Sequence, residues 1–286
     1  MNNIVSYLFK TNAFKICPDE KPFWYTSGKI GPYFVNAQFL YGSENDANEF
    51  LDFINSELEN SNKLDIPKNI FNKVYSQYEN NVIYKDVINQ MKTYIEEQIN
   101  VSDIDYVSGG ERRDWYFSNI IAHLLNKPHI TIYKDLTTVV STSDFTISKE
   151  ASNLEDKKVL HVADLLNQAS SYLRAWIPAI QNLGAEIVWS TVAVDRMQGG
   201  ADRLEDLGIK SLAMVEIKPT LFEQAKTMNI INDSQLEMLN NFYENPDETM
   251  KQFLISHPDF IENALNSDEK SAKRARLCVE GNLYQL

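Results

Sequence analysis

Lys158 to Arg196 reads KVLHVADLLNQASSYLRAWIPAIQNLGAEIVWSTVAVDR, and this stretch decides the fold. Val159, Leu160, Val162 and Ala163 form a short apolar run, the pattern of a strand buried on both faces of a parallel sheet. The run is expected to end at Asp164, with Asn167 to Ser171 as a polar turn. Leu173, Trp176, Ile177 and Ile180 then keep the spacing of one helix face, and Gly184 is a plausible stop. Ile187, Val188, Val192, Ala193 and Val194 form the next strand. A strand–helix–strand unit of this kind sets its first turn beside a helix N-terminus, a position suited to an anion or a phosphorylated ligand.

Two more strand-to-helix turns lie outside this unit. Ile104 to Val107 predicts a strand, followed by Ser108-Gly109-Gly110-Glu111-Arg112-Arg113-Asp114 and a helix with Phe117, Ile120, Ile121, Leu124 and Leu125 on one face. A Gly pair permits close backbone approach, and two arginines offer forked donors to phosphate oxygens. His129 to Lys134 (HITIYK) is the next strand. In Asp135 to Lys157, Val139 and Val140 with Phe145, Thr146 and Ile147 predict a β-hairpin. Arg203 to Gly208 and Ile209 to Val215 predict a short helix and a last strand.

The flanks are simpler. Ala13 to Pro18 suggests a strand, Thr26-Ser27-Gly28 marks a turn, and Tyr33-Phe34-Val35 returns to strand character. Gly42 to Val101 reads as a helical insertion. Its first helix is capped by Asp46 and carries Ala47, Phe50, Leu51, Ile54 and Leu58, and Asn60 to Pro67 is a polar loop. A second helix carries Val87, Met91, Tyr94, Ile95 and Ile99. Residues from Lys218 to Leu286 are mostly helical, and Lys270, Lys273, Arg274 and Arg276 mark a solvated helix face.

Composition narrows the function. The chain has 286 residues, enough for one large domain or two small ones, and 43% are hydrophobic, enough for an ordinary core. A formal net charge of −13 argues against nucleic acid as the main partner, yet a local basic cluster can still hold a small polyanion. Cys17 and Cys278 lack metal or redox spacing and read as reduced thiols of a cytoplasmic protein. No basic, apolar leader opens the sequence, and no apolar run approaches the ~18 residues of a membrane span. His123, His129, His161 and His257 have no metal-ligand spacing. There is no Walker loop and no Gly-x-Ser-x-Gly elbow.

Four motifs together carry a resemblance. Apolar strand, Asp164, hydroxyl-bearing turn and helix resemble the phosphoribosyl-pyrophosphate (PRPP) motif of the type I phosphoribosyltransferases. That motif usually has two adjacent acids and a Gly in its loop, where this chain has Ala163 and Ala169. PFWYTSGKIGPYFVN (22–36) resembles the N-terminal substrate segment of the orotate enzymes, SGGERRD their pyrophosphate loop, and Val194-Asp195-Arg196-Met197-Gln198-Gly199-Gly200 their (Val/Leu)-Asp-Arg-x-x-Gly-Gly run. The family's loop after the HITIYK strand is rich in Lys, Gly and His. Here Lys149 is its only Lys before Lys157.

The resemblance implies an α/β fold, a type I phosphoribosyltransferase-like central, mostly parallel sheet flanked by helices, with a helical insertion and a helical C-terminal extension. It implies a phosphoribosyltransferase-like domain over 1–244, composed of a base-binding segment 1–41, the insertion 42–101, an α/β core 102–218 and closing helices 219–244. The extension covers 245–286. The implied reaction transfers phosphoribosyl from PRPP to a base, most closely orotate, with Mg²⁺ arriving on PRPP and a homodimer as the assembly. Asp164 and Lys149 are the implied catalytic residues. Lys29, Arg112, Arg113, Lys134, Asp164, Asn167, Gln168, Ala169, Ser170 and Ser171 are implied for PRPP, and Tyr33, Phe34 and Arg196 for the base. The alternative is an impaired family member that binds a base or nucleotide as a regulator or sensor.

Overall fold

A computed structural model describes residues 3–18 and 21–285. In chain order its elements begin with α1 (Asn3–Lys10), β1 (Phe14–Ile16), β2 (Phe23–Trp24), β3 (Ile30–Gly31) and β4 (Tyr33–Val35). The three helices α2 (Glu44–Asn60), α3 (Ile66–Asn80) and α4 (Val82–Gln98) follow. Next come β5 (Tyr106–Gly110), α5 (Trp115–Leu124), β6 (His129–Ile132), β7 (Thr138–Ser141), β8 (Ser148–Glu150) and β9 (Lys158–Leu166). A π-helical turn at Tyr172–Trp176 leads into α6 (Ile177–Gln181), then β10 (Glu186–Asp195), α7 (Gly200–Glu205) and β11 (Lys210–Glu216). The chain closes with α8 (Pro219–Thr227), α9 (Asp233–Glu244), α10 (Pro246–Ser256), α11 (Asp259–Leu265) and α12 (Glu269–Glu280).

These elements form two compact units. The first holds residues 1–13 and 36–217, the second 14–35 and 218–286. The sequence-drawn boundary at 244/245 falls inside the second unit.

The first unit is built on a seven-stranded sheet in the order β11-β10-β9-β5-β6-β7-β8. The pairs from β11 to β6 are parallel, and β7 and β8 add antiparallel. This is the mostly parallel, helix-flanked sheet expected from the apolar runs. One apolar cluster buries Val159, Ala163 and Leu166 of β9 with Tyr172, Trp176 and Ile180. The helices α2 to α4 pack through an aromatic group in which Tyr41 stacks on Phe50 at 4.7 Å, and Tyr84 donates its hydroxyl to the Tyr116 carbonyl.

In the second unit, β1 pairs with β4 and β2 with β3, both antiparallel, and α8 to α12 accompany them. Tyr284 ties the end of the chain to the β2–β3 hairpin, its hydroxyl accepting the Ile30 N–H at 2.8 Å. No helix among the described residues is long and apolar enough to cross a membrane.

Several local expectations need correction. β9 runs past Asp164 to Leu166, because parallel pairing with β10 continues to Leu166 opposite Asp195. The turn after it contains a π-helical segment, which rotates the face: Tyr172 is buried and Leu173 is 41% exposed. Gly109 and Gly110 lie in β5, not in the turn, paired with Thr131 and Ile132. Ser43 rather than Asp46 caps α2, accepting the Asp46 N–H. The insertion contains three helices, not two. Its missed helix, α3, buries Ile66, Ile70, Phe71, Val74 and Tyr78 between polar residues.

Candidate active site

The sheet order fixes where a ligand can sit. From β5 the chain crosses to β6 on one side, while β9, β10 and β11 build outward on the other. The carboxyl ends of β5 and β9 therefore flank a topological switch point, the crevice where open α/β sheets bind ligands. A cavity of about 350 Å³ lies there, lined by the 111–114 turn, the end of β9 and the 167–171 loop.

The turn after β5 brings cations. Arg112 and Arg113 both line the cavity. Arg112 donates to Asn55 Oδ1 of α2, while the Arg113 side chain makes no hydrogen bond or ion pair among the described residues. Lys134, just beyond β6, is the third cation of the wall, with Nζ 3.6 Å from Glu111 Oε1. The Glu111–Arg112 peptide is cis. Trp115 anchors the turn from behind by donating its Nε1–H to the Gly109 carbonyl at 3.1 Å.

The loop after β9 brings donors. Asn167, Ala169, Ser170 and Ser171 line the cavity, and the N–H groups of Gln168 to Ser171 have no acceptor among the described residues. Such a run of unused donors at the entry to a helical turn attracts anions. Gln168 is not one of the lining residues, and its backbone carbonyl accepts from Arg203 Nη1 at 3.1 Å. Ala169 holds φ +54°, a left-handed conformation that a side chain disfavours. A π-turn at a functional loop is a recurrent association, and here it turns Tyr172 inward to share a 2.7 Å hydroxyl contact with Ser190.

Asp164 is the acidic group of β9, 7% exposed and in the cavity wall. Burial pushes its carboxyl up to about 7, Asp114 adds to the rise, and Arg113 opposes it. Ala163 also lines the cavity, on its apolar side with Tyr172 and Trp176. A carboxylate at 163 would have to be desolvated there.

The structure thus brings together Arg112, Arg113, Lys134, Asp164, Asn167, Ala169, Ser170 and Ser171. Lys149 is not among them: it sits exposed on β8, the edge strand, opposite Val140. The 135–157 segment contains the expected hairpin, β7–β8, but its second strand is Ser148–Glu150, and Phe145, Thr146 and Ile147 lie in the connection. Arg196 directly follows β10, its N–H donating to the Leu166 carbonyl at 2.9 Å, and its side chain is not part of the cavity wall. Gly200 of the same run has a packing role, since a Cβ on it would lie 2.3 Å from the Asn167 carbonyl oxygen. Lys29, Tyr33 and Phe34 belong to the second unit. There Lys29 Nζ pairs with Asp247 at 2.6 Å, Tyr33 packs on Phe14 and Phe242, and Phe34 lies against Phe23 and Tyr25. Asp114 was not singled out from the sequence, and its signal was an acid at the end of an arginine-bearing turn.

A scan against protein-family models matches none. The chain is similar to the orotate phosphoribosyltransferase of Sulfolobus acidocaldarius, 25% identical over 126 residues, which are 44% of this chain and 60% of that relative. Among solved structures it is similar to the orotate phosphoribosyltransferase of Francisella tularensis (TM-score 0.54, 14% identity, 85% of this chain and 98% of that one). It is similar also to that of Aeropyrum pernix (TM-score 0.50, 15% identity, 78% and 99%). A third is the UMP synthase of Leishmania donovani (TM-score 0.56, 16% identity, 84% and 41%). The curated relative and the UMP synthase are matched over less than two thirds of their own length. The resemblance read from the motifs holds in sequence to this relative, and the fold is that of the type I phosphoribosyltransferases.

Proposed function

We propose that the chain is a phosphoribosyltransferase and that orotate is its acceptor. The observation that carries this reading is the cavity at the β5/β9 switch point. It sets three cations and a loop of unused N–H donors around one buried carboxyl group. A diphosphate fits the arginine turn, and a 5′-phosphate fits the loop. In the reaction the bond from C1 of the ribose to the pyrophosphate oxygen breaks, the pyrophosphate leaves with the bonding pair, a bond from a base nitrogen to C1 forms, and the proton of that nitrogen is released to water. Arg112, Arg113 and Lys134 take up the charge of the leaving pyrophosphate. Ionised Asp164 stabilises the positive charge that develops on the ribose. Arg196 is proposed to meet the base carboxylate, Tyr33 and Phe34 the base, and Lys29 the pyrophosphate.

The described residues offer no group of three or more His, Cys, Asp or Glu side chains that could hold a metal ion. Mg²⁺ is therefore proposed to enter on PRPP, and no step is drawn through a protein-held metal. A homodimer and a cytoplasmic location are carried over from the resemblance as part of the same proposal.

A second reading, a binding-only sensor, is favoured by the strained Ala169 and by the position of Lys149 away from the cavity. Orotate absorbance followed with purified protein, PRPP and Mg²⁺ separates the two. Loss of signal that needs all three components, and that Asp164→Asn abolishes, supports the transferase. Saturable PRPP binding without turnover supports the sensor.

A further inference from the structure

Asp114 is an acid that the phosphoribosyl reading leaves without a role. It occupies the N-cap position of α5, yet its side chain accepts no hydrogen bond from that helix. The carboxylate turns back instead, Oδ2 accepting the Gly110 N–H at 2.9 Å. It is 7% exposed, lies in the cavity wall, and its Oδ1 has no partner among the described residues.

A second strand fixes it in place. His161 of β9 is fully buried, with Nε2 3.4 Å from Asp114 Oδ2 and forming no hydrogen bond. Its Nδ1 lies 2.9 Å from Ser108 Oγ on β5. Tyr172 meets the ring edge-on at 4.9 Å, and Trp176 is stacked at 6.2 Å. The Gly110 N–H thus holds Oδ2 on one side, and the buried imidazole faces it on the other.

Two carboxyl groups, Asp114 from the β5 turn and Asp164 from β9, therefore serve one cavity whose other polar walls bind anions. Ionised carboxylates only accept hydrogen bonds. The part of a ligand that meets them must donate, while its ends are anionic. A phosphorylated pentose has that pattern, with hydroxyls on a ring that carries phosphate. We propose that Asp114 is a second ligand-contacting carboxylate, receiving with Asp164 the ribose hydroxyls, and that His161 is the residue that positions it. This rests on the phosphoribosyl reading and deepens it.

The charged and titratable groups around the pair are Arg112 and Arg113 of the turn, His161 of β9, Tyr116 of α5, and Tyr172 of the π-turn. Removing the Asp114 charge takes away a repulsion on Asp164, so the pH at which Asp164 ionises should fall.

The test is calorimetric titration of the full chain with ribose 5-phosphate and, separately, with inorganic pyrophosphate, at pH values from about 5.5 to about 8.5, on either side of the Asp164 ionisation at about 7. Asp114→Asn, close to isosteric, is expected to weaken ribose 5-phosphate binding roughly tenfold or more. It should also move the pH midpoint of that binding to a lower value and leave pyrophosphate binding at least as tight, which doubles as the check that the site is folded. His161→Gln is expected to weaken ribose 5-phosphate binding less, and to add little on top of Asp114→Asn. Ribose 5-phosphate affinity and pH midpoint unchanged in Asp114→Asn would overturn the inference while leaving the phosphoribosyl reading intact. Wild-type protein that binds pyrophosphate but not ribose 5-phosphate would overturn the hydroxyl role. Wild-type protein that binds neither would remove the phosphoribosyl reading itself and this inference with it.

Discussion

The indole of Trp176 occupies the space that a side chain on Gly110 would need, for a Cβ there would lie 2.2 Å from Cζ2 of the ring. The end of β5 and the π-turn after β9 are thereby in direct contact, and Trp176 is also part of the cavity wall.

Gly110→Ala is therefore expected to displace the indole and to cost about 2 kcal/mol, the range of an overpacked core. Thermal unfolding followed by circular dichroism should show a midpoint lower by roughly 4–8 °C. Trp176→Leu in the same background should recover part of it. An unchanged midpoint in Gly110→Ala would show that the ring moves at no cost.

Two buried groups give stability opposite slopes with pH. Burial first, and then Asp114, push the Asp164 carboxyl from its ordinary 3.8 up to about 7. Its contribution is complete below the unfolded value and is lost as pH rises toward 7. His129 is fully buried, with Nδ1 3.0 Å from Thr131 Oγ1 and Nε2 3.0 Å from Ser118 Oγ. Burial, and secondarily His161, lower it from 6.5 to about 3, so its contribution is present above 6.5 and lost as pH falls toward 3. Unfolding midpoints between these limits should rise in Asp164→Asn relative to wild type toward the alkaline end, and should flatten on the acid side in His129→Gln. Parallel curves for all three proteins would contradict both assignments.

Tyr284→Phe removes the acceptor of the buried Ile30 N–H. An unsatisfied buried donor costs about 1–3 kcal/mol. Amide exchange at Ile30 should accelerate in the variant by far more than exchange in β9, and equal acceleration at the two sites would mean that Tyr284 supports the whole fold and not the hairpin.

Ala169→Gly sets opposed effects against each other. Relief of the φ +54° conformation gains about 1–2 kcal/mol, while the buried methyl and the added chain freedom of Gly cost about 0.8 and 0.5–1 kcal/mol. Denaturant unfolding should place Ala169→Gly within about 1 kcal/mol of wild type, and Ala169→Val far below it, because a branched side chain tolerates a positive φ least.

The parallel core was legible because apolar runs such as Val159 to Ala163 and Val192 to Val194 admit few other arrangements. The two loops that line the cavity were legible from residue type, Arg112 and Arg113 in one and Ser170 and Ser171 in the other. Asp114 was not, because what singles it out is its turn away from α5 toward Gly110 and His161, and its cavity neighbour Asp164 lies on another strand. The inward turn of Tyr172 was hidden for a similar reason, since a π-turn breaks the 3.6-residue period on which the prediction of Leu173 rested. Helix α3 escaped because Asn, Lys and Gln separate its buried residues, although Ile66, Ile70, Val74 and Tyr78 recur at every fourth position.

The second unit joins residues 14–35 to 218–286, and its Ile30–Tyr284 bond spans 254 positions. During synthesis the β2–β3 hairpin leaves the ribosome early and must wait for the last helix to be translated. At ordinary translation speeds that wait is roughly 13–50 s. The sheet of the first unit can assemble meanwhile, because its strands emerge within one continuous stretch. Until then the Ile30 N–H of the hairpin is without its Tyr284 acceptor, and a message truncated before Tyr284 would leave it so.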